Sequence, residues 1–153
     1  MEYSIEVLNE QESMPVDEAR FREAVGAVLQ DAAVAEARIE ILVVDDAAIQ
    51  PINARFLGHD APTDVVSFVL EREGRFLEGQ IVLSAETAQR NAEEYHWPGE
   101  DEMLLYLVHG TLHLVGYEDT TEESWQEMRS RERKYLAGFG LTPPWKDDER
   151  IES

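Results

Sequence analysis

The 153-residue sequence contains no cysteine, which excludes disulfide staples and thiolate metal sites and fits a reducing compartment. No apolar run approaches the roughly 20 residues that a bilayer-spanning helix needs; the longest, residues 41–44 and 103–108, are a fraction of that. The opening residues Met1-Glu2-Tyr3-Ser4 show no basic segment followed by an apolar one, so no signal peptide is expected. The protein reads as cytoplasmic, with no membrane partner. Repeats and low-complexity tracts are missing as well. Basic side chains are scarce: 13 Lys and Arg stand against 33 Asp and Glu, a formal net charge of −20. Proteins that grip polyanions through phosphates carry a basic footprint, whereas this chain repels them at long range. A polyanionic ligand would have to be met by a local basic patch, a metal ion or a partner. Hydrophobic residues, at 43%, suffice for one core of ordinary size without staples.

Residues 3–8 alternate and read as a strand. Pro15-Val16-Asp17 opens a helix whose apolar positions Phe21, Val25, Val28 and Leu29 have helical spacing. Residues 38–44 form a strand, after which Asp46 is the expected cap of a helix through Ile49, Ile52, Asn53 and Phe56, stopped by Gly58. Residues 59–63 are a turn, 64–70 a β-branched strand, 71–75 with Gly74 a hairpin loop, and 79–83 the return strand. Ser84 caps a helix that runs to Tyr95, and Pro98-Gly99 breaks the chain. Residues 101–115 form a strongly apolar helix ended by Gly116, and 122–139 a last, charged helix. The predicted class is α+β (mixed α/β): a small mixed sheet of about four strands packed with about five helices, with a metal cleft at one end. One domain over residues 1–141 and a loose polar tail over 142–153 are expected.

The chemistry lies in His109-Gly110-Thr111-Leu112-His113-Leu114-Val115-Gly116-Tyr117-Glu118-Asp119. Histidines four apart on a helix are separated by about 40° around the axis and about 6 Å along it, so their imidazoles can converge on one ion. Gly116 can adopt the positive φ that ends a helix and turns the chain back, bringing Asp119 toward the pair. H-x-x-x-H-x-x-G-x-x-D has the spacing of the metzincin zinc motif with aspartate last. Two imidazoles and a carboxylate leave a coordination position open, the arrangement of a catalytic site. Zinc is the expected ion. The set also resembles the two-His-one-carboxylate triad of iron enzymes, so another divalent transition metal stays open. Glu118 is the rival third ligand, and Asp119 has a competing role as cap of the last helix, which Thr120 or Thr121 could equally fill. The general-base glutamate of H-E-x-x-H peptidases is replaced by Gly110, which leaves room beside the metal for a bulky substrate or a close backbone.

These residues resemble the YbeY family, bacterial metal-dependent endoribonucleases of ribosomal RNA maturation. The family motif H-G-x-L-H-L-x-G-Y-D-H reads here H-G-T-L-H-L-V-G-Y-E-D. Asn53-Ala54-Arg55-Phe56-Leu57-Gly58-His59-Asp60 followed by Pro62-Thr63-Asp64-Val65-Val66-Ser67-Phe68 is similar to its second motif, and Gly79-Gln80-Ile81-Val82-Leu83-Ser84 with residues 88–95 to its third. The resemblance implies metal ligands at His109, His113 and Asp119, a carboxylate taking the place of the family's third histidine. Leu57 stands where some members have an arginine thought to be catalytic, and Gln80 where aspartate is common. Arg55 and His59 are the candidate catalytic side chains left in that segment, and Asp64 and Ser67 candidate cleft-lining residues. Trp97, Trp125 and Trp145 read as packing or surface residues rather than a stacking platform for bases. The implied function is hydrolysis of RNA phosphodiesters in rRNA maturation and ribosome assembly and quality control. Implied partners are ribosomal RNA and the ribosome or its assembly proteins, without DNA readout. A peptidase or amidase on the same site is one rival, opposed by Gly110. A ribosome-assembly binding factor with a largely structural metal is the other, favoured by Leu57 and the net charge.

Overall fold

The computed structural model describes residues 2–57 and 65–144, with side chains for all of these except residues 53–57. The chain runs β1 (Glu2–Asn9), α1 (Glu18–Asp31), β2 (Glu36–Val44), α2 (Asp46–Leu57), β3 (Val65–Glu73), β4 (Phe76–Ser84), α3 (Ala85–Tyr95), α4 (Gly99–Leu114) and α5 (Glu122–Ala137). The strands form a mixed sheet in the order β1-β2-β4-β3. β1, β2 and β4 are parallel, and β3 returns antiparallel to β4. The predicted α+β class, with four strands and five helices among the described residues, is the observed one. No helix among the described residues is long and apolar enough to cross a membrane.

The period-two pattern of β2 and β4 decides where the layers lie. Ala37, Ile39, Ile41 and Val43, with Leu77, Ile81 and Leu83, join the main core with residues of α1, α3, α4 and α5. Val44, Val66 and Val82 join Ile49 of α2 in a smaller cluster flanked by Leu42, Ile52 and Phe68. The sheet is therefore apolar on both faces, as a largely parallel sheet must be when helices cover it twice. The expected loop at residues 71–75 is shorter than predicted. The strands extend through Glu73 and from Phe76, leaving Gly74 at φ +58 and Arg75 as a two-residue turn.

A second correction concerns the start of α2. Asp46 is the first helical residue, and the cap is Asp45, whose carboxylate accepts the Ala48 N–H at 2.8 Å. Asp46 instead clips α2 to α3, accepting from the Thr87 hydroxyl at 2.6 Å and from Arg90 Nη1 at 2.7 Å. The tip of the α2–β3 connection, residues 58–64, lies outside the described residues, and so do residues 145–153 of the expected tail.

Helix α4 is the axis of the domain. It starts two residues earlier than its apolar pattern suggested, with Pro98 before the first turn. Glu102 through Leu112 and Leu114 are all buried, so the helix is covered on every side, which its nearly uninterrupted apolar sequence requires. It meets the sheet closely at Gly110. A Cβ there would stand 2.9 Å from Ser67 Oγ, 2.9 Å from Val65 Cγ2 and 3.0 Å from Ile81 Cγ2. The Ser67 hydroxyl uses this proximity to donate to the Gly110 carbonyl at 2.9 Å. The glycine therefore admits a close neighbour on the sheet side, not a bulky substrate.

This packing gives one substitution opposite signs at two helical glycines. Gly26 in α1 has no atom within 4 Å of a built Cβ, so Gly26→Ala should gain about 0.5–1 kcal/mol from the unfolded state and helix propensity. At Gly110 overpacking costs about 1–3 kcal/mol, and Gly110→Ala should be a net loss despite the same propensity gain. Urea midpoints moving in opposite directions at unchanged slope are expected; a stabilised Gly110→Ala would refute the close approach.

Candidate metal centre

The site is built on the last two turns of α4 and the reversal that follows. Val115 closes the helix, and Gly116 has φ +105. The Gly116 N–H donates to the His113 carbonyl at 3.1 Å and the Tyr117 N–H to the Leu112 carbonyl at 3.0 Å. These two bonds are a Schellman cap, which satisfies carbonyls otherwise left open at the helix end. The cap also folds residues 117–119 back over the histidines. Thr121, not Asp119, then caps α5 in a reciprocal pair with Ser124.

Three ligand-type atoms meet as a result. His109 Nε2 and His113 Nε2 are 3.0 Å apart. Asp119 Oδ2 lies 3.4 Å from the first and 3.6 Å from the second. His109 is 2% exposed, while His113 and Asp119 are half-buried. Of the two carboxylates weighed for the third place, Asp119 joins the cluster and the exposed Glu118 does not.

The outer nitrogens are committed. His113 Nδ1 is 3.0 Å from the Tyr117 carbonyl oxygen and His109 Nδ1 is 2.7 Å from Glu132 Oε2. Both oxygens accept, so both Nδ1 atoms carry the hydrogen. Each neutral ring then directs an Nε2 lone pair at the other. Two lone pairs at 3.0 Å repel unless a cation lies between them, either a proton on one ring or a metal ion.

The spacing fits an ion. Tetrahedral coordination with bonds of about 2.0–2.1 Å separates neighbouring ligand atoms by about 3.3 Å, and the three separations here bracket that value. His109, His113 and Asp119 could hold a metal with a further position open. Without one, the proton takes its place. Burial pulls the His113 pKa down, but pairing with Asp119 outweighs it, with help from the Tyr117 carbonyl and Glu132, and the net shift is upward. The Asp119 carboxyl is held below its ordinary range, first by pairing with His113 and then, against its desolvation, by the charge of the neighbouring histidine pair.

The sequence motif thus brought together His109, His113 and Asp119. His59 and Asp64 lie outside the described residues, as do the side chains of Arg55 and Leu57. Ser67 turns to the α4 backbone, and Gln80 pairs with Glu40 at 2.7 Å. Trp97 donates to the buried Glu102 at 2.8 Å, Trp125 packs under Arg129, and Trp145 is outside the described residues. Glu132 and Arg129 were missed. Their signal was present: Trp125, Met128, Tyr135 and Leu136 mark the buried stripe of α5, and Glu132 sits on it.

A family model described as Endoribonuclease YbeY matches residues 6–140. An Endoribonuclease YbeY of Rhodopirellula baltica is 44% identical, covering 79% of this chain and 68% of its own. That of Moorella thermoacetica is 40% identical over 92% of this chain and 99% of its own. The solution structure of a Thermotoga maritima protein superimposes with a TM-score of 0.58 at 24% identity, covering 94% of this chain and 97% of the other, and shares the fold.

The His113–Asp119 pair sets how the metal-free protein responds to pH. His113 has a raised folded-state pKa, so its contribution is complete below the unfolded value of about 6.5 and is lost as pH rises through the folded one. Asp119 has a lowered one, so its contribution holds above the unfolded value of about 3.9 and is lost as pH falls through the folded one. The windows overlap between about pH 4 and pH 6.5. In chelator-treated protein, Asp119→Asn should lower Tm most at about pH 5 and far less at about pH 8. NMR titration should show the His113 pKa falling in that variant. An equal Tm loss at both pH values would exclude the pairing.

Proposed function

This chain belongs to the YbeY family of endoribonucleases, and from that premise we propose that it is a metal-dependent endoribonuclease cutting RNA phosphodiesters in ribosomal RNA maturation. It acts in the cytoplasm, on RNA within the ribosome or its assembly intermediates. His109, His113 and Asp119 hold one ion, Zn2+ in this reading. The observation that carries it is the convergence of two Nε2 atoms and one carboxylate oxygen, with both Nδ1 atoms already bound elsewhere.

When bound, the ion acidifies water and neutralises charge on a phosphodiester oxygen. The protein's share is to hold the ligands rigidly and to leave one side open. Asp119 contributes one negative charge to that set and Glu132 is offset by Arg129, so a divalent ion leaves the centre net positive. That local charge is what an RNA phosphate meets on a protein of net charge −20. Arg55 and His59 are the basic side chains we assign to the substrate side, from the segment similar to the family's second motif. The peptidase alternative loses its chemistry at Gly110, because any side chain there collides with Ser67, Val65 and Ile81.

Purified protein loaded with Zn2+ should cleave structured RNA and lose that activity on chelation. His113→Ala and Asp119→Ala should weaken metal binding by about 10²-fold or more. Arg55→Ala and His59→Ala should slow cleavage by about 10–10²-fold with metal content unchanged. Full metal occupancy with no cleavage of RNA, alone or in ribosomal particles, would overturn the reading in favour of an assembly-factor role.

A further inference from the structure

We propose that Glu132, steadied by Arg129, is the positioning residue of the metal centre: its carboxylate holds His109 as the Nδ1–H tautomer and aims the Nε2 lone pair at the ion. The inference rests on the metal reading above and adds to it a residue on a different helix.

The geometry is specific. Glu132 is 0% exposed and projects from the buried stripe of α5 to α4. Its Oε2 is 2.7 Å from His109 Nδ1, and its Oε1 accepts from Arg129 Nη1 at 3.0 Å. Arg129 is itself 3% exposed and lies over the Trp125 ring. Burying two charges carries a large desolvation cost, and the mutual attraction of the pair recovers it only with excellent geometry and further hydrogen bonds. An apolar pair would cover the same stripe without this cost. The carboxylate supplies something an apolar side chain cannot, an acceptor aimed at His109 Nδ1.

That acceptor matters because a histidine ligand needs its second nitrogen anchored. The anchor fixes the tautomer and the ring plane and makes the ligating nitrogen more basic. The two ligand histidines are anchored differently. His113 leans on a neutral carbonyl, that of Tyr117, and His109 on a carboxylate. His109 is therefore the stronger donor of the two. Arg129 holds Glu132 Oε1 while Oε2 faces the ring, so the carboxylate accepts from His109 and does not compete with Asp119 for the ion.

The test uses the full-length chain and Glu132→Gln, which keeps the shape and removes the charge. Zn2+ affinity by chelator competition should fall about 10–100-fold, and the visible absorption bands of the Co2+-loaded variant should shift. The metal-free Tm should fall as well, because Arg129 is left buried without its counter-charge, so affinity and the Co2+ bands of the folded fraction are the deciding readouts. A merely structural role predicts the lower Tm alone, with affinity and Co2+ bands unchanged in the folded fraction. The second arm needs no variant. Imidazole 15N shifts of the unaltered protein should show His109 protonated at Nδ1 with and without Zn2+, and an Nε2–H tautomer overturns the proposal even if Glu132→Gln does not fold. Equal metal uptake by both proteins defeats the Glu132 role alone. No uptake by the unaltered protein defeats the metal reading, and this one with it.

Discussion

Two imidazoles whose inner nitrogens lie 3.0 Å apart, with their outer nitrogens already donating, form an arrangement that a proton or a metal ion completes. Most other features of the molecule can be traced to keeping those rings in place. A helix spacing of four brings them onto one face, but a helix alone does not set their planes. Each plane is fixed from outside α4, by the reversal after Gly116 in one case and by α5 in the other. A buried helix end and a buried carboxylate are each unfavourable in isolation. Together with the histidines they are mutually satisfied.

The fold supplies rigidity where the site needs it. Because α4 is buried along nearly its whole length, its last turns cannot shift without disturbing the sheet, α1, α3 or α5. At Gly110, one residue from His109, the helix backbone comes so near the sheet that the Ser67 hydroxyl bonds its carbonyl. The glycine that distinguishes this motif from that of the H-E-x-x-H peptidases is thus a packing requirement as well as a chemical difference. Its absent side chain locks the first ligand against β3 and β4, and the same contact leaves no place for a general-base glutamate. Substrate approach is confined to the side where His113 and Asp119 remain partly open.

Much of this was legible in the residues. Alternation and helical spacing located every described strand and helix, and missed mainly their ends. Strands β3 and β4 pair further than their apolar segments, because backbone pairing continues across the exposed polar residues Glu71, Arg72 and Glu73. Asp45 rather than Asp46 caps α2, because either carboxylate is chemically suitable and only the backbone path chooses. The cluster of His109, His113 and Asp119 was readable because its members lie on one helix and its cap, where spacing in sequence is spacing in space. Glu132 was not, since it reaches His109 from 23 residues away and only the packing of α5 on α4 makes them neighbours. The legible trace was local and easily read as surface charge: an acid on a stripe otherwise occupied by Trp125, Met128, Tyr135 and Leu136.

The overall charge of −20 becomes intelligible at the scale of the site. Long-range repulsion slows encounter with a polyanion but is screened beyond about 8–10 Å at physiological ionic strength, whereas a partly buried centre acts at contact. The described basic side chains near the centre are already engaged. Arg129 is buried against Glu132, and Arg131 lies over the Tyr117 ring. On the proposed reading, attraction for a phosphate comes from the ion itself and from the segment that carries Arg55 and His59. An acidic surface of this kind weakens long-range encounter with a polyanion without abolishing what the centre does at contact. On the proposed reading the acidic surface is therefore compatible with a nuclease of narrow context: it discourages adventitious contact with polyanions, while the charge of the centre, once an ion is bound, is local and positive.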